Sequence, residues 1–284
     1  MSGRIAILGV GLIGGSFGLA LRADGYEGEI VGIGRDPGRL QTARDRGVID
    51  RAETDAIAGV RGADVVLLAV PMGAMHGALA AIAPGLEADT IVTDAGSAKG
   101  AFVADARAVL GSLERVVPGH PVAGTERSGV EAAFAELFRD RRVILTPVAE
   151  TRAEAVACVE RLWKRTGARV EQLDVERHDH LLAATSHLPH MLAFGLVDAL
   201  ARAPDADMLF RYAAGGFRDF TRIASSDPDM WRDICIANRE ALLEALQAYR
   251  EDLDALTEEV RKGDEEGLKQ RFTRAKTARD RFCG

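Results

Sequence analysis

Cysteine, net positive charge and long apolar runs are scarce or absent in this sequence of 284 residues, and each shortage excludes a class of protein. The three cysteines, Cys158, Cys235 and Cys283, have no CxxC spacing and do not group with other metal ligands, so neither disulfides nor a metal site is expected. A net charge of −7 argues against nucleic acid or an anionic membrane as the main partner. No segment approaches the ~20 apolar residues of a membrane span, and the N-terminus lacks the basic start of a signal peptide, so we expect a cytoplasmic protein.

The sequence does contain enough apolar material for buried cores, since 47% of its residues are hydrophobic and 28% are charged, as in ordinary globular proteins. A chain of this length exceeds what one hydrophobic core usually organises, so two domains are expected. The pattern of apolar residues changes after residue 173. It predicts a first domain over 1–173 and a second over 174–284.

Short, fully apolar runs alternate with helical patterns in the first of these domains. The runs predict strands at residues 5–8, 30–33, 65–70, 90–93, 142–146 and 168–173. Strands that are apolar on both faces and alternate with helices indicate a parallel sheet covered by helices on both sides. We therefore predict an α/β fold with an N-terminal Rossmann-type doubly wound sheet, to which the last two runs are the final additions.

Residues beyond 174 show no convincing strand. The stretches 176–202 and 230–283, with a break near Gly263, carry apolar stripes at helical spacing among abundant Glu, Arg and Ala. We therefore predict an all-helical C-terminal domain. Stripes of this width on a small domain are often buried against a partner subunit, so we expect a homodimer built on these helices.

A glycine-rich turn follows the first predicted strand. It matches the GxGxxG pattern and opens a helix, whose N-terminal N–H groups can hold a pyrophosphate. The alternative is a tight strand-to-helix turn that binds nothing. We assign cofactor contacts to this turn and to the end of the predicted strand at 65–70, whose sequence is VVLLAV. The residues are Gly9, Gly11, Leu12, Ile13, Gly14 and Val70.

The end of the second strand predicts which dinucleotide binds. An Asp or Glu about 20 residues after the motif normally accepts hydrogen bonds from the ribose hydroxyls of NAD, but here that position is Gly34. Arg35 follows, a cation placed where the 2′-phosphate of NADP would lie, while Asp36 comes two residues late. The pattern favours NADP. NAD is the alternative if Asp36 reaches the ribose and Arg35 is only a solvated turn residue.

Three further stretches are rich in glycine or polar residues where a strand ends or a helix begins. They are TDAGSAKG at 93–100, GHPVAGTERSG at 119–129 and GGFRDFTRIASSDPDMWRDI at 215–234. The second has too many turn formers and polar groups to pack in a core and predicts a shaped loop. Loops at the carboxyl ends of parallel strands line the ligand crevice, so polar residues of the first two stretches should converge beside the nicotinamide. These residues are Ser97, His120, Thr125 and Glu126.

Together with SHLPHMLAFGLVDAL at 186–200, these motifs resemble in order and spacing the prephenate/arogenate dehydrogenase family of tyrosine biosynthesis. The resemblance covers nearly the whole chain. It implies a Rossmann domain followed by a helical dimerisation domain, and an enzyme that oxidises and decarboxylates prephenate or arogenate with a nicotinamide cofactor. No segment matches a regulatory ACT module or a chorismate mutase, so we expect a monofunctional enzyme.

The resemblance also implies roles for single residues. His120 matches the family's catalytic histidine, and Ser97 matches the serine that partners it. His190 and Arg222 match substrate-binding residues. Positions at the rim of the active site are matched by Thr125 and Glu126.

The reaction itself gives independent reasons for these residue types. A neutral imidazole titrates near the working pH and can accept the hydroxyl proton of the substrate, while a serine hydroxyl can orient the imidazole by hydrogen bonding. An arginine can hold a carboxylate of the dianionic substrate through two parallel N–H groups. Loss of CO₂ from the oxidised ring needs no metal.

Other histidines and a tryptophan are expected to be structural or solvated. His187 lies three residues before His190 on one helix face, and the residues alone would make both structural. We expect His178 and His180 to be solvated helix residues and Trp231 to be a packing residue.

Two other functions compete with the oxidative decarboxylase. A β-hydroxyacid dehydrogenase or imine reductase also joins a Rossmann domain to helices, but usually carries a catalytic Lys or Asp on its central helix, where this chain has TSHLPHML. A non-catalytic dinucleotide sensor that signals through its helical dimer is the other alternative. The presence of both His120 and Ser97 argues against a sensor.

Overall fold

The computed structural model describes residues 3–125 and 127–283, which form nine strands and thirteen α-helices joined by loops and short 3₁₀ and π turns. The strands are β1 (Ile5–Leu8), β2 (Ile30–Ile33), β3 (Arg51–Glu53), β4 (Val65–Leu68), β5 (Ile91–Asp94), β6 (Val116–Val117), β7 (Gly119–Pro121), β8 (Arg142–Leu145) and β9 (Arg169–Gln172). The helices are α1 (Leu12–Ala23), α2 (Pro37–Asp45), α3 (Ala56–Val60), α4 (Met75–Ile82), α5 (Lys99–Leu110), α6 (Ala153–Arg165), α7 (Val175–Leu182), α8 (Leu188–Ala201), α9 (Ala206–Arg211), α10 (Gly215–Thr221), α11 (Pro228–Ala237), α12 (Arg239–Lys262) and α13 (Glu265–Cys283).

The first six strands form one parallel sheet in the order β3-β2-β1-β4-β5-β6. Its central strands are apolar and buried because helices cover both faces, with Trp163 in the core on one side and Phe102 in the core on the other. The predicted Rossmann-type sheet is therefore confirmed. The strand order reverses between β1 and β4, and in such sheets ligands bind at the carboxyl ends of the strands beside this reversal.

The last two predicted strands do not join this sheet, and that part of the prediction is wrong. β7, β8 and β9 form a separate three-stranded sheet in which β7 runs antiparallel and β9 parallel to β8. Both edges of β8 are occupied, so it has none left for the larger sheet. The predicted loop over 119–129 is also wrong at its start, because Gly119, His120 and Pro121 are buried residues of β7.

The described residues from 174 to 283 contain helices and no strand, as predicted. The predicted helix over 176–202 is α7 and α8, which a π turn at Ala183–His187 joins into one helical path. The predicted break is confirmed at Gly263, which ends α12 in the left-handed conformation with φ 64°. Within the described ranges, no helix is both long and apolar enough to cross a membrane.

Candidate active site

The GxGxxG turn lies between β1 and α1 at the carboxyl edge of the large sheet. Gly9 has φ 96°, and a Cβ there would lie 2.5 Å from the carbonyl oxygen of Ala69. A Cβ at Gly14 would lie 2.3 Å from the carbonyl oxygen of Gly9, so only glycine fits at both positions. The space around Gly11 is open, and α1 begins there without a side-chain cap. The first backbone N–H groups of α1 are therefore left for a pyrophosphate.

The other predicted cofactor residues border this turn. Leu12 and Ile13 are half-buried in the first turn of α1. Val70 follows β4, and its Cγ1 lies 3.0 Å from where a Cβ of Gly9 would be. The structure thus brings the end of the VVLLAV run to the glycine turn.

The segment predicted to select the dinucleotide follows β2 at the same sheet edge. Asp36 caps the N-terminus of α2, where its carboxylate accepts two backbone N–H groups of the first turn. Arg35 is solvent-exposed. The atom nearest to a Cβ at Gly34 is Leu40 Cδ2 at 3.4 Å, an ordinary contact, so position 34 has room for a side chain.

A fully buried ion pair joins the last residue of β5 to the first residue of α5 and holds the first residue of β7. The ammonium of Lys99 donates hydrogen bonds to the carboxylate of Asp94 and, at 2.7 Å, to the carbonyl of Gly119. The N–H of Gly119 in turn donates to Asp94 Oδ1 at 3.0 Å. Both polar backbone groups of the residue before His120 are therefore held by this pair. Burial lowers the pKa of Lys99 and raises that of Asp94, each against the attraction of its partner.

His120 itself is a buried residue of β7, with 8% of its surface exposed. Its Nδ1 lies 2.9 Å from Nε2 of His178, and the two rings meet edge to face. Burial first, and then unfavourable electrostatic interactions with His178, Lys99 and His187, hold the pKa of His120 well below its usual value. The imidazole is therefore neutral at neutral pH, as a general base must be.

The position of His178 corrects the expectation that it is solvated. Its ring is fully buried, and its Nδ1 lies 2.8 Å from Asp179 Oδ1. His180, on the other side of α7, is exposed as expected. The eight residues of α7 carry too few apolar positions to show which face is buried. The buried face of α7 is instead set by its packing against α5, which is distant in sequence.

Asp179 joins this cluster to the first turn of α5. Its two oxygens accept the backbone N–H groups of Lys99 and Gly100, each at 2.8 Å. Burial would raise the pKa of Asp179, but hydrogen bonds from His178 and from these two N–H groups outweigh it and lower the pKa. Asp179 is therefore an ionised carboxylate inside the protein.

The remaining residues predicted near His120 occupy the two loops. Ser97 is half-buried on the loop between β5 and α5, but the described side chain that hydrogen-bonds the His120 ring is His178 rather than Ser97. Thr125 is exposed on the loop after β7, where its hydroxyl accepts the N–H of Arg127. Glu126 lies outside the described residues.

His190 and Arg222 meet in the helical part of the chain. The Nδ1–H of His190 donates to the carbonyl of Ser186 at 2.8 Å, and its ring stacks on Trp231 with the ring centroids 3.5 Å apart. Burial lowers the pKa of His190, and the positive charge of Arg222 lowers it further against that hydrogen bond. Arg222 is exposed at the start of a 3₁₀ turn after α10. The structure thus places a cation beside an oriented imidazole.

His187 links the two histidine groups, in agreement with the structural role expected of it. Asn238 donates from Nδ2 both to the carbonyl of Asp179 at 2.9 Å and to Nδ1 of His187 at 3.0 Å. The His187 ring also meets Trp231 edge to face. Burial lowers the pKa of His187 to about 4, so this ring stays neutral.

Sequence reasoning missed the buried polar residues that support His120, namely Asp94, Lys99, His178, Asp179 and Asn238. A weak signal existed for the ion pair, because the buried strand β5 ends in Asp94 and Lys99 begins the next helix. For His178, Asp179 and Asn238, the sequence pattern gave no such signal.

Both parts of the chain match models of one protein family. The prephenate dehydrogenase nucleotide-binding domain matches residues 17–172, and the prephenate dehydrogenase dimerization domain matches residues 174–274. Cyclohexadienyl dehydrogenase of Zymomonas mobilis is 39% identical over 278 residues, which are 97% of this chain and 94% of the relative.

Two solved structures have the same fold over almost their whole length. A structure of prephenate dehydrogenase from Aquifex aeolicus in complex with hydroxyphenyl propionate and NAD+ has a TM-score of 0.92 and 39% identity, and the match covers 98% of each chain. The arogenate dehydrogenase of Synechocystis has a TM-score of 0.84 and 30% identity, with 98% of this chain and 99% of the other covered.

Proposed function

Because the chain belongs to the prephenate dehydrogenase family over both of its halves, we propose that it is an oxidoreductase that oxidatively decarboxylates prephenate or arogenate in tyrosine biosynthesis. The observation that carries the proposal is His120, a buried neutral imidazole tied through Gly119 to the carboxyl end of β5. This is the sheet edge that also holds the glycine turn. The family match over the helical half gives no support to the reductase or sensor alternatives.

The reaction requires one base and one electron-pair acceptor. A nicotinamide dinucleotide bound at the Gly9–Gly14 turn would accept the hydride from C4 of the substrate ring. Nε2 of His120 takes the proton of the C4 hydroxyl, because Nδ1 is engaged with His178. C4 then becomes carbonyl-like, and the ring carboxylate leaves as CO₂ because its loss makes the ring aromatic.

The other assigned residues hold the substrate. Arg222 can bind a carboxylate through two parallel N–H groups, and His190 offers Nε2 beside it. Ser97 is assigned to the catalytic group because its hydroxyl lies on the loop that Lys99 and Asp94 fasten to β7. Thr125 and Glu126 are assigned to the rim from their positions in the motif.

The test of the function is a comparison of two substrates with two cofactors. Initial rates of NADH and NADPH formation are measured for purified protein with prephenate and with arogenate. We expect turnover with at least one of the four pairs. No reduction of either cofactor by either substrate would contradict the proposal and would favour a non-catalytic dinucleotide sensor.

For the cofactor, the preference of this chain is proposed to be NADP rather than NAD. Arg35 is exposed beside the expected ribose position, and the carboxylate of Asp36 is already engaged as the cap of α2. Position 34 itself carries glycine in place of the acidic residue that normally binds the ribose of NAD. These features support a site for a 2′-phosphate and not for two ribose hydroxyls.

Removal of the Arg35 guanidinium is expected to raise KM for NADP. A charge-assisted hydrogen bond to phosphate is worth about 1.5–3 kcal/mol, so Arg35→Ala should raise this KM by roughly 10- to 150-fold and change KM for NAD little. Gly34→Asp should shift kcat/KM toward NAD, because it adds an acceptor and repels the phosphate. The control is Arg44→Ala, which removes another exposed arginine, on the following helix α2. A wild-type kcat/KM clearly higher with NAD would assign the ribose contact to Asp36 instead.

The helical part is proposed to be the dimerisation domain, with the division between domains at 173/174. In α8, an apolar helix, only Ala193 is buried. Large apolar side chains are exposed along the following helices, at Met208, Tyr212, Phe220, Ile236, Leu243, Leu253, Val260 and Phe272. Exposed apolar area of this extent is typical of a subunit interface.

A homodimer is therefore expected in solution, with twice the mass of one chain in light scattering. Leu243→Glu with Val260→Glu should yield monomers with most of the activity lost, since the helical part that forms the interface also carries His190 and Arg222. Gln41→Glu adds a charge to α2, outside the helical part, and should remain a dimer. A wild-type protein that is monomeric and fully active at assay concentration would exclude the proposed interface.

A further inference from the structure

The buried carboxylate of Asp179 determines the tautomers of two histidines in series. Because an ionised carboxylate can only accept, Nδ1 of His178 carries a hydrogen and donates to Asp179 at 2.8 Å. Nε2 of His178 is then without hydrogen and accepts from Nδ1–H of His120 at 2.9 Å. The lone pair of His120 is therefore on Nε2, the ring nitrogen left for a substrate. The order Asp179, His178, His120 sets a base in its reactive form.

The surroundings of His120 explain why a single imidazole is a poor base here. Its ring is buried and close to the ammonium of Lys99, and both disfavour an imidazolium at this position. The described hydrogen bonds of His120 lead to an imidazole and not to a carboxylate. Along the chain of hydrogen bonds that starts at His120, the first negative charge is the carboxylate of Asp179, which His120 reaches through His178.

We propose that His178 accepts a proton from His120 as His120 accepts the hydroxyl proton of the substrate, a step that rests on the proposed function. The O–H bond of the substrate breaks as an N–H bond forms at Nε2 of His120. The N–H bond at Nδ1 of His120 breaks as one forms at Nε2 of His178. One positive charge thereby ends on His178, whose Nδ1–H lies against the carboxylate of Asp179. Protons return along the same path when the product has left.

His178 and Asp179 are positioning residues in this arrangement, since both act through His120. The titratable groups that face them from neighbouring elements are Asp94 and Lys99 on the sheet side and His187 on the π turn. Asp94 and Lys99 neutralise each other, and His187 stays neutral. Asp179 is therefore the uncompensated charge in contact with His178.

The test uses His178→Gln, a substitution that keeps both hydrogen bonds but cannot take up a proton. The glutamine oxygen can accept from Nδ1–H of His120, and its amide can donate to Asp179. We expect kcat to fall roughly 10- to 100-fold, with KM for the substrate and Kd for the cofactor within about 2-fold of wild type. His180→Gln, two residues along on the exposed side of α7, should leave all three unchanged.

The pH profile separates a proton acceptor from a merely structural residue. In wild type, protonation of the buried His120 ends activity, and in this proposal the neighbouring imidazole of His178 shares that proton. In His178→Gln only the buried His120 is left to titrate, so the acid limb of kcat/KM should move to lower pH. A merely structural role of His178 predicts an acid limb that does not move to lower pH.

Several results would overturn the proposed proton transfer from His120 to His178, which is called the relay below. A His178→Gln enzyme with kcat within about 2-fold of wild type would do so, as would an acid limb that stays in place or rises. If His178→Gln proves unstable, Asp179→Asn takes its place in the test. It must give a similar fall in kcat and must also move the acid limb of kcat/KM to lower pH, or the relay is wrong. A wild-type protein inactive with both substrates would instead contradict the proposed function.

Discussion

Replacement of His120 by asparagine is expected to lower kcat by about 10²- to 10⁴-fold, the usual contribution of a general base. The asparagine amide can still donate to Nε2 of His178, so the buried cluster keeps a hydrogen bond while the proton acceptor at Nε2 is lost. Binding of the dinucleotide should not change, because its contacts lie at the glycine turn. Steady-state kinetics and a fluorescence titration of the cofactor measure the two effects separately. Near-normal turnover would show that another group takes the hydroxyl proton.

The pH dependence of the wild-type enzyme follows from the lowered pKa of His120. A base must be unprotonated, and the pKa of this group is held well below the usual value by burial and neighbouring charge. Activity should therefore be retained as pH falls to the usual pKa of histidine and should be lost only below it. An acid limb centred at or above that value would mean that the His120 environment differs in the working enzyme.

Replacement of Lys99 by methionine should destabilise the protein by about 3–5 kcal/mol. Both members of the Lys99–Asp94 pair are fully buried, and removal of one partner leaves an uncompensated carboxylate inside the protein. The carbonyl of Gly119 also loses its donor. Chemical denaturation measures the change in the free energy of unfolding. Lys276→Met removes an exposed lysine paired with Asp280 on α13 and should change that free energy by less than about 0.5 kcal/mol.

The loss in Lys99→Met should depend on pH in a defined direction. Burial already raises the pKa of Asp94, and without the Lys99 ammonium it rises further. A carboxyl whose pKa is higher in the folded protein than in the unfolded chain stabilises the fold below the unfolded pKa, and this contribution disappears as pH rises through the folded pKa. The variant should therefore be less destabilised at acidic than at alkaline pH. A loss that is equal at both would indicate that Asp94 is not the buried charge responsible.

Sequence patterns predicted the parts of the fold that depend on local periodicity. The apolar runs at β1, β2, β4 and β5, the glycine turn after β1 and the left-handed end of α12 at Gly263 are all fixed by residues adjacent in sequence. Motif order was enough to assign the family. The second sheet was not predicted because β7 pairs with β8 across more than twenty residues, and pairing at that range leaves no local pattern.

In the candidate site too, features set by neighbouring residues were predicted and contacts between residues distant in sequence were not. His120 was found because it lies between a glycine and a proline in a polar segment, although the segment begins as a buried strand. His178 was misjudged because an eight-residue helix does not show its buried face. Its contact with His120 spans 58 positions of sequence, and the backbone donors to Asp179 lie about 80 positions away.

The measurement that tests the central claim most directly is the ratio of CO₂ released to reduced dinucleotide formed by the purified wild-type protein. Oxidation at C4 makes the ring carboxylate a leaving group, so each hydride transferred from prephenate or arogenate should release one CO₂. We expect a ratio of about one with whichever substrate turns over. Dinucleotide reduction without CO₂ would identify a simple alcohol dehydrogenase and contradict the account.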